Sequence, residues 1–130
     1  LKRHKRDKDM EERIFIRPYK IGDEIKISKL IAYTLRISNR KDYSPEYIEE
    51  TIKEHSPEFF LSRKKEAHFY VVCDHQKIIG CGGITGYWGS TTESYLLSIF
   101  VLPEYQRKGI GKMIIETLES DYFFKRAWRT

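Results

Sequence analysis

The sequence predicts a mixed α/β domain, with a mostly antiparallel sheet at its centre and helices packed against it. Three observations carry this. Apolar residues recur at helical spacing in the first sixty or so positions, then give way at His68 to runs rich in aromatic and β-branched residues. Residues 94–102 form a nearly continuous apolar run closed by Pro103, the pattern of a strand buried on both faces. A glycine-containing turn, Gln106 to Gly111, then leads into a second amphipathic helical pattern.

Arg13-Ile14-Phe15-Ile16-Arg17 alternates charged and apolar residues and stops at Pro18, which predicts a first strand. Asp23 offers an N-cap, and Ile27, Leu30, Ile31 and Thr34 follow at helical spacing, so 23–37 is expected to be a helix. Ser44-Pro45-Glu46 and Ser56-Pro57-Glu58 each combine a capping serine with proline at the first helical position. The first start precedes a narrow stripe of Ile48 and Ile52, the second the run Phe59-Phe60-Leu61. Residues 68–73 and 77–85 then form a hairpin about the turn Asp74-His75-Gln76. Gly80, Gly82 and Gly83 would weaken the returning strand unless a bulge or a close neighbour uses them. Residues 86–92 read as a loop, 94–102 as the central strand, and 109–121 as a helix carrying Ile110, Met113, Ile114 and Leu118 on one stripe. Residues 122–130 leave room for one further strand at most.

The 130 residues suit one domain, with 40% hydrophobic and 14% aromatic residues to fill a core. No apolar run reaches membrane-spanning length, and the charged N-terminus lacks the apolar stretch of a secretory signal. The net charge of +5 sits at the ends. Residues 10–121 hold 16 basic and 17 acidic side chains, a balance of −1, so a basic stripe of the kind that grips nucleic acid is not expected. Residues 1–12 read as a charged flexible tail and 13–130 as the domain. Cys73 and Cys81 fall in predicted strands without metal-ligand spacing, which points to two buried free thiols and a reducing cytoplasm.

The segment from Leu97 to Lys112 carries the chemistry. A buried strand delivers the chain to a turn that places Gln106, Arg107, Lys108 and Gly109 at a helix start. The first amides of a helix lack internal partners and sit at the positive end of the helix dipole, a ready site for phosphate oxygens. Glycine at 109 and 111 would let a pyrophosphate approach the backbone, with Arg107 and Lys108 adding positive charge. The P-loop pattern fails, because Gln106 stands at its first glycine and Met113 follows Lys112. The dinucleotide fingerprint fails at Ile114. An ordinary strand-to-helix turn with a solvated basic pair fits the same residues.

With its preceding strand and Pro103, Gln106-Arg107-Lys108-Gly109-Ile110-Gly111 resembles the pyrophosphate motif [QR]-x-x-G-x-[GA] of the GCN5-related N-acetyltransferases (GNAT). Ile99-Phe100-Val101-Leu102 matches that family's fourth strand, and the order of elements over residues 13–125 agrees as well. The resemblance implies the acyl-CoA N-acyltransferase (GNAT) fold and acetyl transfer from acetyl-CoA to a primary amine within a ternary complex, without a metal. Carried over by position, the backbone of Gln106, Arg107, Lys108, Gly109, Ile110 and Gly111 holds the CoA pyrophosphate, with Lys112 beside it. Backbone groups of Phe100 and Val101 bond the pantetheine arm as an added strand, and a bulge splays the strand where the acetyl group sits.

Direct transfer needs a base, an oxyanion donor and an acid for the thiolate. Glu93 opens the central strand and by alternation shares a face with Tyr95, Leu97 and Ile99. The family's glutamate in this strand aligns nearest Tyr95, so Glu93 and Tyr95 are the candidate catalytic residues. Tyr87 and Trp88 either line the amine pocket or cover the sheet edge, and His75 is a solvated turn residue. The family continues past the motif helix with further strands and often a tyrosine acid. The resemblance therefore implies a domain incomplete at its C-terminus, either cut short or completed by another subunit in a homodimer or by domain swapping. A non-catalytic acyl-CoA-binding module is the alternative reading.

Overall fold

The computed structural model describes residues 13–86 and 94–128. In chain order these form β1 (Ile14–Pro18), α1 (Asp23–Ser38), α2 (Pro45–Glu54), α3 (Pro57–Arg63), β2 (Ala67–Asp74), β3 (Lys77–Gly86), β4 (Ser94–Val101), a 3₁₀ turn (Pro103–Tyr105), α4 (Ile110–Glu119) and α5 (Tyr122–Trp128). The four strands lie in the order β1-β2-β3-β4, and every pair is antiparallel. Helices α1 to α3 cover one face of the sheet, and α4 and α5 cover the other. No described helix is long and apolar enough to cross a membrane.

The two Ser-Pro-Glu starts behave as the sequence predicts. Ser44 Oγ accepts from the Tyr47 N–H at 3.1 Å and Ser56 Oγ from the Phe59 N–H at 3.4 Å, each with proline at the first helical position. The start of α1 differs. Gly22 is its N-cap, and the Asp23 carboxylate is engaged elsewhere. It takes two bonds from the Arg17 guanidinium, at 2.9 and 3.1 Å, and one from the Lys20 N–H at 2.9 Å. The two-pronged charge-assisted pair with the end of β1 outcompetes a neutral cap bond.

The glycines of β3 are used by close neighbours. A Cβ on Gly82 would stand 2.5 Å from Ile114 Cγ2, and one on Gly80 3.5 Å from Ile114 Cδ1, so α4 lies directly on the sheet backbone here. Gly83 turns to the other face, where the ring of its cross-strand partner Phe69 covers it. Ile27, Ile31 and Phe60 fill the core on the α1–α3 side, and Ile110, Ile114 and Leu118 on the α4 side, all essentially without solvent contact.

The last described element departs from expectation, since 122–128 is helical rather than the start of a strand. Asp121 is the cause. Its Oδ1 accepts from the Phe123 N–H at 2.9 Å and its carbonyl from the Lys125 N–H at 3.0 Å, which restarts a helix after α4 ends. Phe123 and Phe124 then pack partly buried against the core.

Candidate functional site

The site begins with an irregularity in β4. Cys81 pairs with Phe100 and Gly83 with Leu97, so Ser98 and Ile99 together face Gly82. This is a β-bulge, and Ser98 takes a left-handed φ of 54° to accommodate the extra residue. The bulge corrects the alternation inferred from sequence. Tyr95 and Leu97 share the α1–α3 face with their partners Thr85 and Gly83. Ile99 has crossed to the α4 face, its Cγ1 3.5 Å from where a Gly82 Cβ would be. Phe100 returns to the α1–α3 face.

The hydrogen-bond phase beyond the bulge decides which backbone groups are free. Leu102 N–H donates to the Ile79 carbonyl at 2.9 Å, which makes Val101 and Gly80 a non-hydrogen-bonded pair. The N–H and C=O of Val101 therefore point to the outer edge of β4, where no described strand pairs and where the C=O takes the Gln106 side-chain amide. Phe100 has the opposite phase. Its carbonyl lies 3.2 Å from the position of a Gly80 Cβ, turned into the sheet. Of the two residues expected to pair with an extended ligand, Val101 presents its backbone outward and Phe100 does not.

From Val101 the chain enters the loop before α4. Arg107 and Gly109 both adopt left-handed backbone, at φ 64° and 83°, and Gly109 is the N-cap. The first helical bond runs from Met113 N–H to the Gly109 carbonyl at 3.1 Å, which leaves the amides of Ile110, Gly111 and Lys112 ahead of it. Nothing lies within 4 Å of a Cβ on Gly109 or Gly111, so this helix end is bare. Arg107, Lys108 and Lys112 surround it, all exposed or half-exposed. The exposed Gln106 side chain folds back onto the strand edge, and its Nε2 donates to the Val101 carbonyl at 3.0 Å and to Ser38 Oγ at 3.2 Å. Tyr105 anchors the loop from below. Its hydroxyl donates to the Asp74 carboxylate, and Lys77 and Lys108 lie 6.0 and 5.8 Å from its ring centre. The Tyr105 bond, helped by Arg13, holds the Asp74 carboxyl below its ordinary range. A bare helix N-terminus ringed by cations, next to an unpaired strand edge, can hold a phosphorylated, extended ligand.

Tyr95 is half-exposed on the α1–α3 face. Glu93, Tyr87 and Trp88 lie outside the described residues. Cys81 lies beside the bulge with its thiol donating to the Ser98 carbonyl at 3.3 Å, and burial pushes it up to about 12, so it is no nucleophile. Cys73 and Cys81 are both free and buried.

Sequence reasoning passed over His55, at the C-cap of α2. Its ring centre is 5.3 Å from that of Phe59 and 5.7 Å from that of Phe100, edge-on to the latter. The only signal was a histidine between two helix starts, and its neighbours are set by tertiary packing. His68 is committed elsewhere. Its Nδ1 lies 2.9 Å from the buried Asp121 carboxylate on the opposite face of the sheet, and Tyr70 donates to the same carboxylate at 2.6 Å. A cleft of about 360 Å³ between the β1–α1 loop, Lys64 and residues 67–70 opens at the far end of β2 from Asp74 and Tyr105, apart from this arrangement.

An antiparallel sheet with helices on both faces, a bulged edge strand and an open helix N-terminus define the acyl-CoA N-acyltransferase fold. The chain belongs to the acetyltransferase (GNAT) family, whose model matches residues 33–129. It is similar in structure to the PaiA N-acetyltransferase from Thermoplasma acidophilum, solved in complex with coenzyme A. That similarity has a TM-score of 0.73 at 25% identity over 82% of this chain and 70% of the other. Its fold is also that of a GCN5-related N-acetyltransferase from Ralstonia eutropha JMP134, with TM-score 0.63, 14% identity and coverage of 82% and 74%. An aminoglycoside acetyltransferase, meta-AAC0020 from an uncultured soil metagenomic sample in complex with sisomicin, gives TM-score 0.60 at 22% identity, with coverage of 89% and 74%. No curated protein matches the sequence.

Proposed function

We propose that this acyltransferase moves the acetyl group of acetyl-CoA onto a primary amine by direct attack in a ternary complex. The observation that carries the reading is the continuity of the bare α4 N-terminus with the outward-facing Val101 backbone and the bulge at Ser98. A CoA molecule has the same sequence of parts. Its pyrophosphate would meet the amides of residues 109–112 and the cations Arg107, Lys108 and Lys112. Its pantetheine arm would run along the edge of β4 and pair with Val101, and its thioester would end at the bulge. The coenzyme A bound to the Thermoplasma relative supports the choice of an acyl-CoA donor. Glu93 and Tyr95 remain the candidate catalytic residues of this reading.

Calorimetry with acetyl-CoA, followed by thiol release with a panel of primary amines, tests the reading. Saturable binding and amine-dependent thiol release are expected. Binding without release from any amine would leave an acyl-CoA-binding module, and absence of binding would reject both.

A further inference from the structure

Resting on that reading, we infer that His55 is the base that takes the proton from the acceptor ammonium, through its Nε2. Three observations converge on it. The first is the tautomer. His55 Nδ1 lies 2.8 Å from the Thr51 carbonyl oxygen, and a carbonyl only accepts. Nδ1 therefore carries the proton, and the neutral ring keeps its lone pair on Nε2, away from the helix. The second is the place. The ring stands edge-on to Phe100, the residue that follows the bulge on the same face of β4 as Tyr95 and Leu97. It is thus held beside the bulge. Phe59 and Phe60 flank it at 5.3 and 6.3 Å, and the side chain stays half-buried instead of sealed.

The third is elimination among the described histidines and thiols. His68 is bound to Asp121 on the opposite face, and His75 sits in the β2–β3 turn. Cys81 is buried with its thiol driven up by burial. His55 is the described imidazole on the bulge face with an uncommitted lone pair in its neutral form. Imidazole is the commonest general base in proteins.

The step balances. Nε2 takes a proton from the ammonium, which frees the nitrogen lone pair. That lone pair attacks the thioester carbonyl, the C–N bond forms and the C–S bond breaks. The second nitrogen proton goes to the departing thiolate, and His55 returns its proton to solvent. The products are the amide, CoA thiol and one released proton.

His55→Gln keeps a planar polar head but removes the base. Expected are an unchanged acetyl-CoA affinity by calorimetry and a kcat reduced about 10²-fold. A kcat within twofold of the unsubstituted protein would overturn the assignment. Nitrogen-15 histidine labelling gives a readout independent of turnover, with the His55 ring signals assigned by their loss in His55→Gln. Those signals are expected to move when acetyl-CoA is added. Saturable acetyl-CoA binding without such movement would overturn the placement of His55 while leaving the transferase reading intact. Failure to bind acetyl-CoA, or to acetylate any amine, would reject that reading and the base with it.

Discussion

Gln106 Nε2 donates to the Val101 carbonyl at 3.0 Å, so the loop before α4 is tied to the last residue of β4. The same amide reaches Ser38 Oγ at 3.2 Å, at the end of α1. One side chain thus sets the distance between the strand edge and the helix N-terminus, the two surfaces that a CoA molecule would have to span. Gln106 acts as a strut and leaves the anion to the amides that follow it. Removing the strut in Gln106→Ala frees the loop at a cost of about 1 kcal/mol, which corresponds to roughly fivefold weaker acetyl-CoA binding. Gln106→Glu is the stricter test, because an ionised carboxylate cannot donate and would face the Val101 carbonyl oxygen. It is expected to bind more weakly than the alanine variant. Calorimetry that ranks Gln106→Glu with the unsubstituted protein would sink the strut.

Gly111 separates ligand binding from folding. Its φ is not left-handed, and a Cβ there meets nothing within 4 Å, so the protein itself tolerates a side chain at this position. An acid in the first turn of α4 also suits the helix dipole, by about 0.5 kcal/mol. Gly111→Asp should therefore melt at or slightly above the temperature of the parent. Its carboxylate would occupy the bare helix end and repel a pyrophosphate, so acetyl-CoA affinity is expected to fall at least about tenfold. Gly109→Asp would also lose affinity but with a stability loss, because φ 83° strains any other residue by about 1–2 kcal/mol. Parallel melts and titrations distinguish the two. Undiminished affinity in Gly111→Asp would remove the pyrophosphate from this helix end.

What was legible in the sequence divides along the range of the forces involved. The Ser-Pro-Glu starts were readable because cap and amide lie three residues apart. The glycine turn before α4 was readable for the same reason. Asp23 has the composition of a cap, but Arg17, fixed by the sheet, claims its carboxylate. Period-two counting puts Ile99 on the face of Tyr95 and Leu97, but the bulge moves it to the other, and the left-handed Ser98 leaves no compositional mark. The Gln106 motif was visible, but the folding back of its side chain depends on Val101 and Ser38. The helix after Asp121 was hidden by the expectation of a strand, although an aspartate before Phe123 and Phe124 is itself a cap signal. His55 has no local signal, since its meaning comes from Phe100 across the core.

Asp121 makes stability depend on pH in a predictable direction. Burial alone would raise its carboxyl, but bonds from Tyr70, the Phe123 N–H and His68 outweigh that and hold it below its ordinary value. Burial and the same bond push the Tyr70 phenol up to about 12, so it remains a donor through neutral pH. A carboxyl lowered by folding adds stability above its unfolded pKa, and that stability is lost as pH falls through the folded value. Asp121→Asn keeps the cap to Phe123 but removes the charge. It should be less stable than the parent by about 1–3 kcal/mol at neutral pH, and the gap should narrow toward about pH 3. Urea midpoints at the two pH values measure this, and an equal gap at both would assign the loss to shape instead of charge.

Gly82 is where sequence, packing and site meet most directly. It is the single residue opposite the bulged pair Ser98 and Ile99, and Ile114 of α4 rests on it with no solvent exposure. A methyl there would lie 2.5 Å from Ile114 Cγ2, 3.4 Å from Leu118 Cδ1 and 3.5 Å from Ile99 Cγ1. The first distance is impossible, and both helix residues are locked in the core, so α4 must lift or the strand must bend. Gly82→Ala is expected to cost about 1–3 kcal/mol, as overpacking does. Because α4 carries the bare N-terminus and β4 carries Val101, the same shift should weaken acetyl-CoA binding beyond what a neutral core change would do. The double variant Gly82→Ala with Ile114→Leu removes the clashing Cγ2 at nearly constant volume and should recover part of both losses. Recovery of stability without recovery of affinity would mean that the seating of α4 on the sheet and the spacing of the site are independent.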